Sequence, residues 1–155
     1  MRGIDYWVGG KTMMEMTAAH LMEKEVVAFE EGMNCHRLAE TLFEGDYGRH
    51  PGGFGSIPII DKARKLLGIV SEFDLLNALM KGRDLKTTEA SEIMTRPAVS
   101  ITPEMPVEEI IGLLQSRHLI RVPVVDSEWK LVGIVARRDI LGCYIESTLG
   151  ALPVF

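Results

Sequence analysis

The sequence predicts a mixed α/β (α+β) fold of two pseudo-twofold-related repeats, each a small three-stranded sheet flanked by helices. The first observation behind this is a stretch that occurs twice, KLLGIVSEFDLL at residues 65–76 and KLVGIVARRDIL at residues 130–141. In each copy an apolar run of β-forming residues turns within two residues into a helical pattern, with Asp74 or Asp139 at the same step of the new helix. The second observation is constant spacing. Met22 pairs with Met94, Val27 with Val99, Cys35 with Val107, Leu38 with Ile110 and Leu42 with Leu114 at an offset of 72. Pro58 pairs with Pro123, Asp61 with Asp126, Gly68 with Gly133, Ile69 with Ile134 and Asp74 with Asp139 at an offset of 65. The difference of seven residues places an insertion in a glycine-rich loop of the first half. The third observation is size: half of a 155-residue chain cannot bury a three-stranded sheet alone, so the halves should pack together. Two equivalent clefts follow, suited to a small ligand with an aromatic and an anionic part.

The elements come in order. Residues 1–12 show no sustained period and read as an N-terminal arm without assigned function. The first repeat spans 13–82. It opens with a helical pattern over 13–22 and a strand over 26–30; Gly32 then breaks the strand ahead of a helix over 33–43, with Cys35, Leu38, Ala39 and Leu42 on its buried stripe. Five glycines and a proline make 44–55 a loop, holding Tyr47, Arg49 and His50 and suited to a lid or a partner surface. Strands follow at 56–61 and 66–70, then a helix over 72–81 whose apolar surface comes from Phe73, Leu76, Ala78, Leu79 and Met80. A polar linker covers 83–87. The second repeat, 88–150, runs through a short helix at 88–94 and a strand at 98–102. Pro106 stands in the first turn of the next helix, with Val107, Ile110, Ile111 and Leu114 on its buried stripe. Strands at 121–126 and 131–135 and a closing helix from Arg137 to about residue 148 complete it, and 151–155 form a tail.

Composition narrows the function. A net charge of −5 with no basic block argues against a nucleic-acid partner. No apolar run approaches the roughly 20 residues of a membrane span, and the N-terminus lacks a signal core, so the expectation is a soluble, cytoplasmic protein with no membrane partner. Cys35 and Cys143, without C-x-x-C spacing, read as buried reduced thiols rather than a disulfide or zinc pair.

A strand that feeds straight into a helix presents free N–H groups at the positive end of the helix dipole, a place for a phosphate. Ser71 and Asp74 also have the spacing of a capping box, a purely structural device. Ala136 replaces the serine in the second copy while Asp139 stays, so capping explains Asp139 poorly.

These residues resemble the tandem cystathionine-β-synthase (CBS) domain pair, the Bateman module, over residues 16–150. The resemblance is carried by the MEKEVVAF and MTRPAVSI openings, the IPIID and VPVVD strands, and the GIVSEFD and GIVARRD junctions, each present twice and in order. It implies an adenosine-type ligand (AMP, ADP, ATP or S-adenosylmethionine) as a regulatory ligand, with the aspartate on the ribose and the serine near the phosphate. Gly68, Ser71 and Asp74 match the family motif in full; Gly133 and Asp139 match in the second copy, where Ala136 departs and Arg121, Arg137 and Arg138 could supply charge instead. The adenine would lie near Val26 and Val27 with Ile57 and Pro58 in one cleft, and near Ala98 and Val99 with Val122 and Pro123 in the other. The resemblance also implies a helix-mediated homodimer, for which Ile140, Leu141, Tyr144, Ile145 and Leu149 of the closing helix are available.

No nucleophile elbow, P-loop lysine or paired-histidine motif is present, and His20, His36, His50 and His118 are dispersed, so no catalytic or metal-binding residue is assigned. The leading reading is a stand-alone regulatory, energy-sensing module that binds an adenine nucleotide and signals through assembly or an unidentified regulated protein. The alternative is a ligand-free dimerisation or interaction scaffold with degenerate clefts.

Overall fold

Local chemistry sets the element boundaries. The computed structural model describes residues 7–8, 11–45 and 55–149. The rest of the N-terminal arm, the loop residues Tyr47, Arg49 and His50, and the tail 151–155 lie outside the described residues. Strands β1 (Trp7–Val8) and β2 (Lys11–Thr12) pair antiparallel, and a 3-10 turn at Met13–Glu15 leads to helix α1 (Ala18–Leu21). The helix expected over 13–22 is thus divided at Thr17, whose extended backbone starts a new helix. The strand expected over 26–30 contracts to β3 (Phe29–Glu30). Asn34 caps helix α2 (Cys35–Glu44) by accepting from the Arg37 amide at 2.9 Å, and Cys35, Leu38 and Leu42 are its buried stripe.

Strands β4 (Ser56–Ile60) and β5 (Leu66–Ser71) form an antiparallel hairpin that places Ser56 opposite Ser71 and Pro58 opposite Ile69; β3 adds parallel to β4, giving the order β3-β4-β5. Helix α3 (Glu72–Met80) starts without an intervening residue. Only Leu75 and Ala78 of α3 enter the core, and Phe73, Leu76, Leu79 and Met80 stay exposed.

Helices α4 (Ala90–Ile93) and α5 (Val107–Ser116) follow, then β6 (Arg121–Val125), β7 (Leu131–Ala136) and α6 (Arg137–Leu149). Pro106 is the N-cap of α5 rather than a residue of its first turn, with its backbone extended at φ −67°, ψ 150°. The strand expected over 98–102 is a single parallel bridge, Ile101 to Val124, made by the Ile101 amide on Pro123 O at 3.0 Å and the Val125 amide on Ile101 O at 2.9 Å. Pro97 and Pro103 flank this segment, and a residue without an N–H cannot extend a ladder.

The chain forms two units, and each takes one short helix from the opposite half of the sequence. The central unit is Val27–Ala98 with Glu128–Leu131; the terminal unit is Met1–Val26, Val99–Ser127 and Val132–Phe155. In the central unit the α4 segment docks on the start of α2, where the Cys35 amide donates to Thr88 O and the Ala90 amide to Met33 O, both at 2.8 Å. In the terminal unit α1 docks on the start of α5, where the Ala18 amide donates to Met105 O at 2.9 Å and the Val107 amide to Met16 O at 3.0 Å. These bonds satisfy amides that a helix start leaves without intrahelical partners. Leu38, Ile57, Ile59 and Val70 centre one core; Ile101, Val107, Ile110 and Val124 centre the other. Residues 128–131 join the central unit through two reciprocal bonds, Leu66 amide to Trp129 O at 3.1 Å and Leu131 amide to Arg64 O at 2.9 Å.

Candidate functional site

Gly68 is where the site begins. A Cβ on it would stand 2.8 Å from Thr95 O and 2.9 Å from Met94 Sδ, so only glycine lets residues 94–95 lie against β5. The backbones of Ile69 and Thr95 then exchange hydrogen bonds of 2.8 and 3.0 Å. Thr95 is held over the end of β5, and its Oγ1 donates to Asp74 Oδ1 at 3.3 Å.

Ser71 ends β5 and caps α3. Its Oγ accepts from the Asp74 amide at 3.2 Å, and Asp74 Oδ2 accepts from the Ser71 amide at 2.8 Å and from Ser71 Oγ at 3.0 Å. The capping box foreseen from the spacing therefore forms, and it turns the Asp74 carboxylate toward the helix start. Beside Asp74 lies a recess of about 160 Å³ lined by Asn77, Lys81, Arg83 and Glu92. Arg83 is paired with Glu92 at 3.3 Å. The Glu89 amide, donating to Glu92 at 2.6 Å, is the main cause holding the Glu92 carboxyl below its usual range, with Arg83 adding to it.

Ser71→Ala is expected to cost about 1 kcal/mol of stability or less, because the hydroxyl cap is lost while the carboxylate remains on the residue-71 amide. A urea-denaturation series reads this directly; a loss of several kcal/mol would mean the hydroxyl holds more than the cap.

The second junction contains its own test of that argument. Ala136 has no hydroxyl, yet its amide donates to Asp139 Oδ2 at 2.7 Å. The carboxylate half of a capping box needs only the N-cap amide, so capping accounts for Asp139 and the sequence-based objection is corrected. Arg121, the first residue of β6, is 8% exposed. Burial lowers its pKa, and the charges of Asp139 and Glu23 oppose that shift. Arg137 and Arg138 are exposed. Glu23 reaches this place because its backbone is paired with Ile134 at 2.9 and 3.0 Å, as Thr95 is with Ile69. Gly133 permits this approach, since a Cβ there would stand 2.5 Å from Met22 Sδ.

The residues expected at the adenine are divided differently from the sequence grouping. Val27, 39% exposed, and the buried Ala98 belong with Ile57 and Pro58 in the central unit. Val26 and Val99, both half-buried, belong with Val122 and Pro123 in the terminal unit. Ile57 and Val122 are fully buried members of the two cores, and Pro58, also fully buried, lies on the opposite face of β4 from Ile57 and Ile59. Thr95 was not named from the sequence, and Met94 was named only as the repeat partner of Met22. Their signal was the offset of 72, which equates Thr95 with Glu23 and Met94 with Met22.

Elsewhere the titratable groups are dispersed. Among the described residues no group of three or more His, Cys, Asp or Glu could hold a metal ion. His36 pairs with Glu40 at 3.0 Å on the exposed face of α2, and His20 Nδ1 accepts from the Thr17 amide. The Cys35 thiol is buried, and desolvation, with Glu92 adding to it, pushes its pKa up to about 11; burial also raises that of Cys143. Among the described residues no helix is long and apolar enough to cross a membrane.

Comparison with known proteins agrees with this architecture. The CBS domain model matches residues 18–81 and again 90–146. An uncharacterized protein of Methanopyrus kandleri is 33% identical over 103 residues, which are 66% of this chain and 53% of that protein. The chain thus spans about half of that relative, and 22% and 25% of two archaeal homoserine O-acetyltransferases that it also resembles. The cytosolic domain of the Mg2+ channel MgtE, solved in complex with ATP, is 30% identical with a TM-score of 0.67, over 83% of this chain and 48% of that one. The CBS domain pair of protein MJ0100, solved with 5-methylthioadenosine and S-adenosyl-L-methionine, is 24% identical with a TM-score of 0.68, over 84% and 97%, and bears on the fold alone. Two matched repeats and small sheets flanked by helices lead to one conclusion: the chain belongs to the CBS domain family, as a tandem CBS pair.

Proposed function

We propose that this protein is a regulatory, non-catalytic CBS pair that binds an adenosine nucleotide at the Ser71 junction. The observation that carries the reading is the Gly68, Ser71 and Asp74 motif folded into a half-buried carboxylate beside a polar recess of about 160 Å³. Ribose hydroxyls would replace the long 3.3 Å contact from Thr95 on Asp74, and Lys81 and Arg83 would offset phosphate charge. The ATP complex of the 30%-identical MgtE domain supports the ligand class. AMP, ADP, ATP and S-adenosylmethionine share the adenosine part that this site would hold.

A ligand regulates only by binding two states differently. The states here would be assemblies of a cytoplasmic homodimer and its unidentified regulated protein. Leu141, Tyr144 and Ile145 on α6, 62%, 37% and 53% exposed, give that assembly an apolar face, whereas Ile140 is part of the core. Titration calorimetry of ligand-free protein with these four adenosine compounds, paired with light scattering, tests the reading: saturable binding with a change of assembly or partner affinity is expected. A folded, ligand-free protein that binds none of them would support the scaffold reading instead, which the exposed Phe73 and Met80 of α3 favour.

A further inference from the structure

The two junctions are built on the same backbone and differ in the side chains that surround the aspartate. At the Ser71 junction the positions around Asp74 are Ser71, Thr95 and Ser56, all neutral. At the other junction the equivalent positions are Ala136, Glu23 and Arg121. The backbone correspondence is close: the Glu72 amide donates to Gly55 O at 3.1 Å, and its counterpart, the Arg137 amide, to Ile120 O at 2.9 Å. Arg121 therefore starts its strand beside the N-terminus of α6, as Ser56 does beside that of α3.

We infer that the second junction is closed from within: Arg121, buried beside Asp139 and Glu23, occupies the space that a ligand would need and takes up the charge of the aspartate that would hold a ribose. Three features support this beyond the identity of the residue. Arg121 is 8% exposed, so its guanidinium is not offered to a solvent-borne phosphate. The net charge of these groups is minus one at both junctions, but Asp139 faces a guanidinium, whereas the corresponding position opposite Asp74 is the neutral Ser56. The residue-136 position has no hydroxyl to contribute, whereas Ser71 supplies one at the other junction. Arg137 and Arg138 are exposed and leave the buried balance unchanged. Arg121 is the buried member, with Asp139 and Glu23 half-buried, and removing either carboxylate would leave the buried guanidinium less compensated. The chain would then respond to one nucleotide per copy, with the second junction as a fixed structural element.

This inference rests on the proposed nucleotide reading for its stoichiometry but not for the ion cluster, and the experiment separates the two. Calorimetry with ATP should give one site per chain for the unaltered protein. It should give two for the variant Arg121→Ser/Glu23→Thr/Ala136→Ser, which copies the Ser71 junction. Two sites in the unaltered chain, or one in a folded triple variant, would overturn the closure. If no ATP binds to either, the nucleotide reading fails, and a double-mutant cycle of Arg121→Met and Asp139→Asn decides the cluster in urea denaturation. The double variant should lose less stability than the two single losses added together; additivity would overturn the inference.

Discussion

Asp74→Ala is expected to lower affinity for an adenosine nucleotide on the order of 100-fold, about 3 kcal/mol, because two charge-assisted hydrogen bonds to ribose would be lost. The same substitution removes the acceptor of the Ser71 amide and of the Ser71 and Thr95 hydroxyls, so stability should fall by about 1–2 kcal/mol. The two effects are separable. Asp74→Asn keeps an oxygen for the Ser71 amide but carries no charge, so it should recover most of the stability and little of the affinity. Calorimetry and urea denaturation on both variants provide the measurement. Should Asn restore affinity as fully as stability, Asp74 is a helix cap and the ribose role is lost.

The legible part of the fold was whatever repeats impose locally. The pairing of Gly68 with Gly133 and of Leu38 with Ile110 fixed two copies of one unit, and the capping-box spacing of Ser71 and Asp74 fixed the start of α3. What the sequence did not disclose is which half each short helix completes. Ala18 and Ala90 look alike in pattern, and nothing local in either says that the first packs beside Val107 and the second beside Cys35. That exchange is a tertiary choice between similar apolar faces. It explains why Thr95 and Glu23 were missed: each comes to a junction built by the other half of the sequence.

Arg121 shows a second kind of limit. As the first residue of a strand of sequence RVPVVD it reads as a surface charge at the ligand side, and only burial beside Asp139 and Glu23 distinguishes it from the exposed Arg137. Charge type is visible in a sequence; solvent access at an edge position is not. The shortened strands have a similar origin, since the strands expected over 26–30 and 98–102 rest on local composition while the ladder partners that define a strand lie elsewhere in the chain.

The close approach at the two glycines gives the largest expected change in stability, and it should differ between them in a way that mutation can read. Gly68→Ala puts a methyl 2.8 Å from Thr95 O, which accepts from the Ile69 amide while the Thr95 amide donates back to Ile69 O. Relief requires the segment carrying Thr95 to move away, so a loss of about 3 kcal/mol or more is expected, together with a displaced Thr95 and weakened nucleotide binding. At Gly133 the three nearest atoms, Met22 Sδ, Cγ and Cβ at 2.5, 2.8 and 2.9 Å, all belong to one side chain. Met22→Ala removes the nearer two and leaves the Cβ. Gly133→Ala should therefore cost about 2–3 kcal/mol alone and be partly rescued by Met22→Ala, whereas Met94→Ala should leave the cost of Gly68→Ala nearly unchanged. Equal rescue at both sites, measured as urea midpoints across the two double-mutant cycles, would show that side-chain crowding and not the backbone of Thr95 makes glycine necessary at 68. The argument connecting Gly68 to the placement of Thr95 on Asp74 would then fail with it.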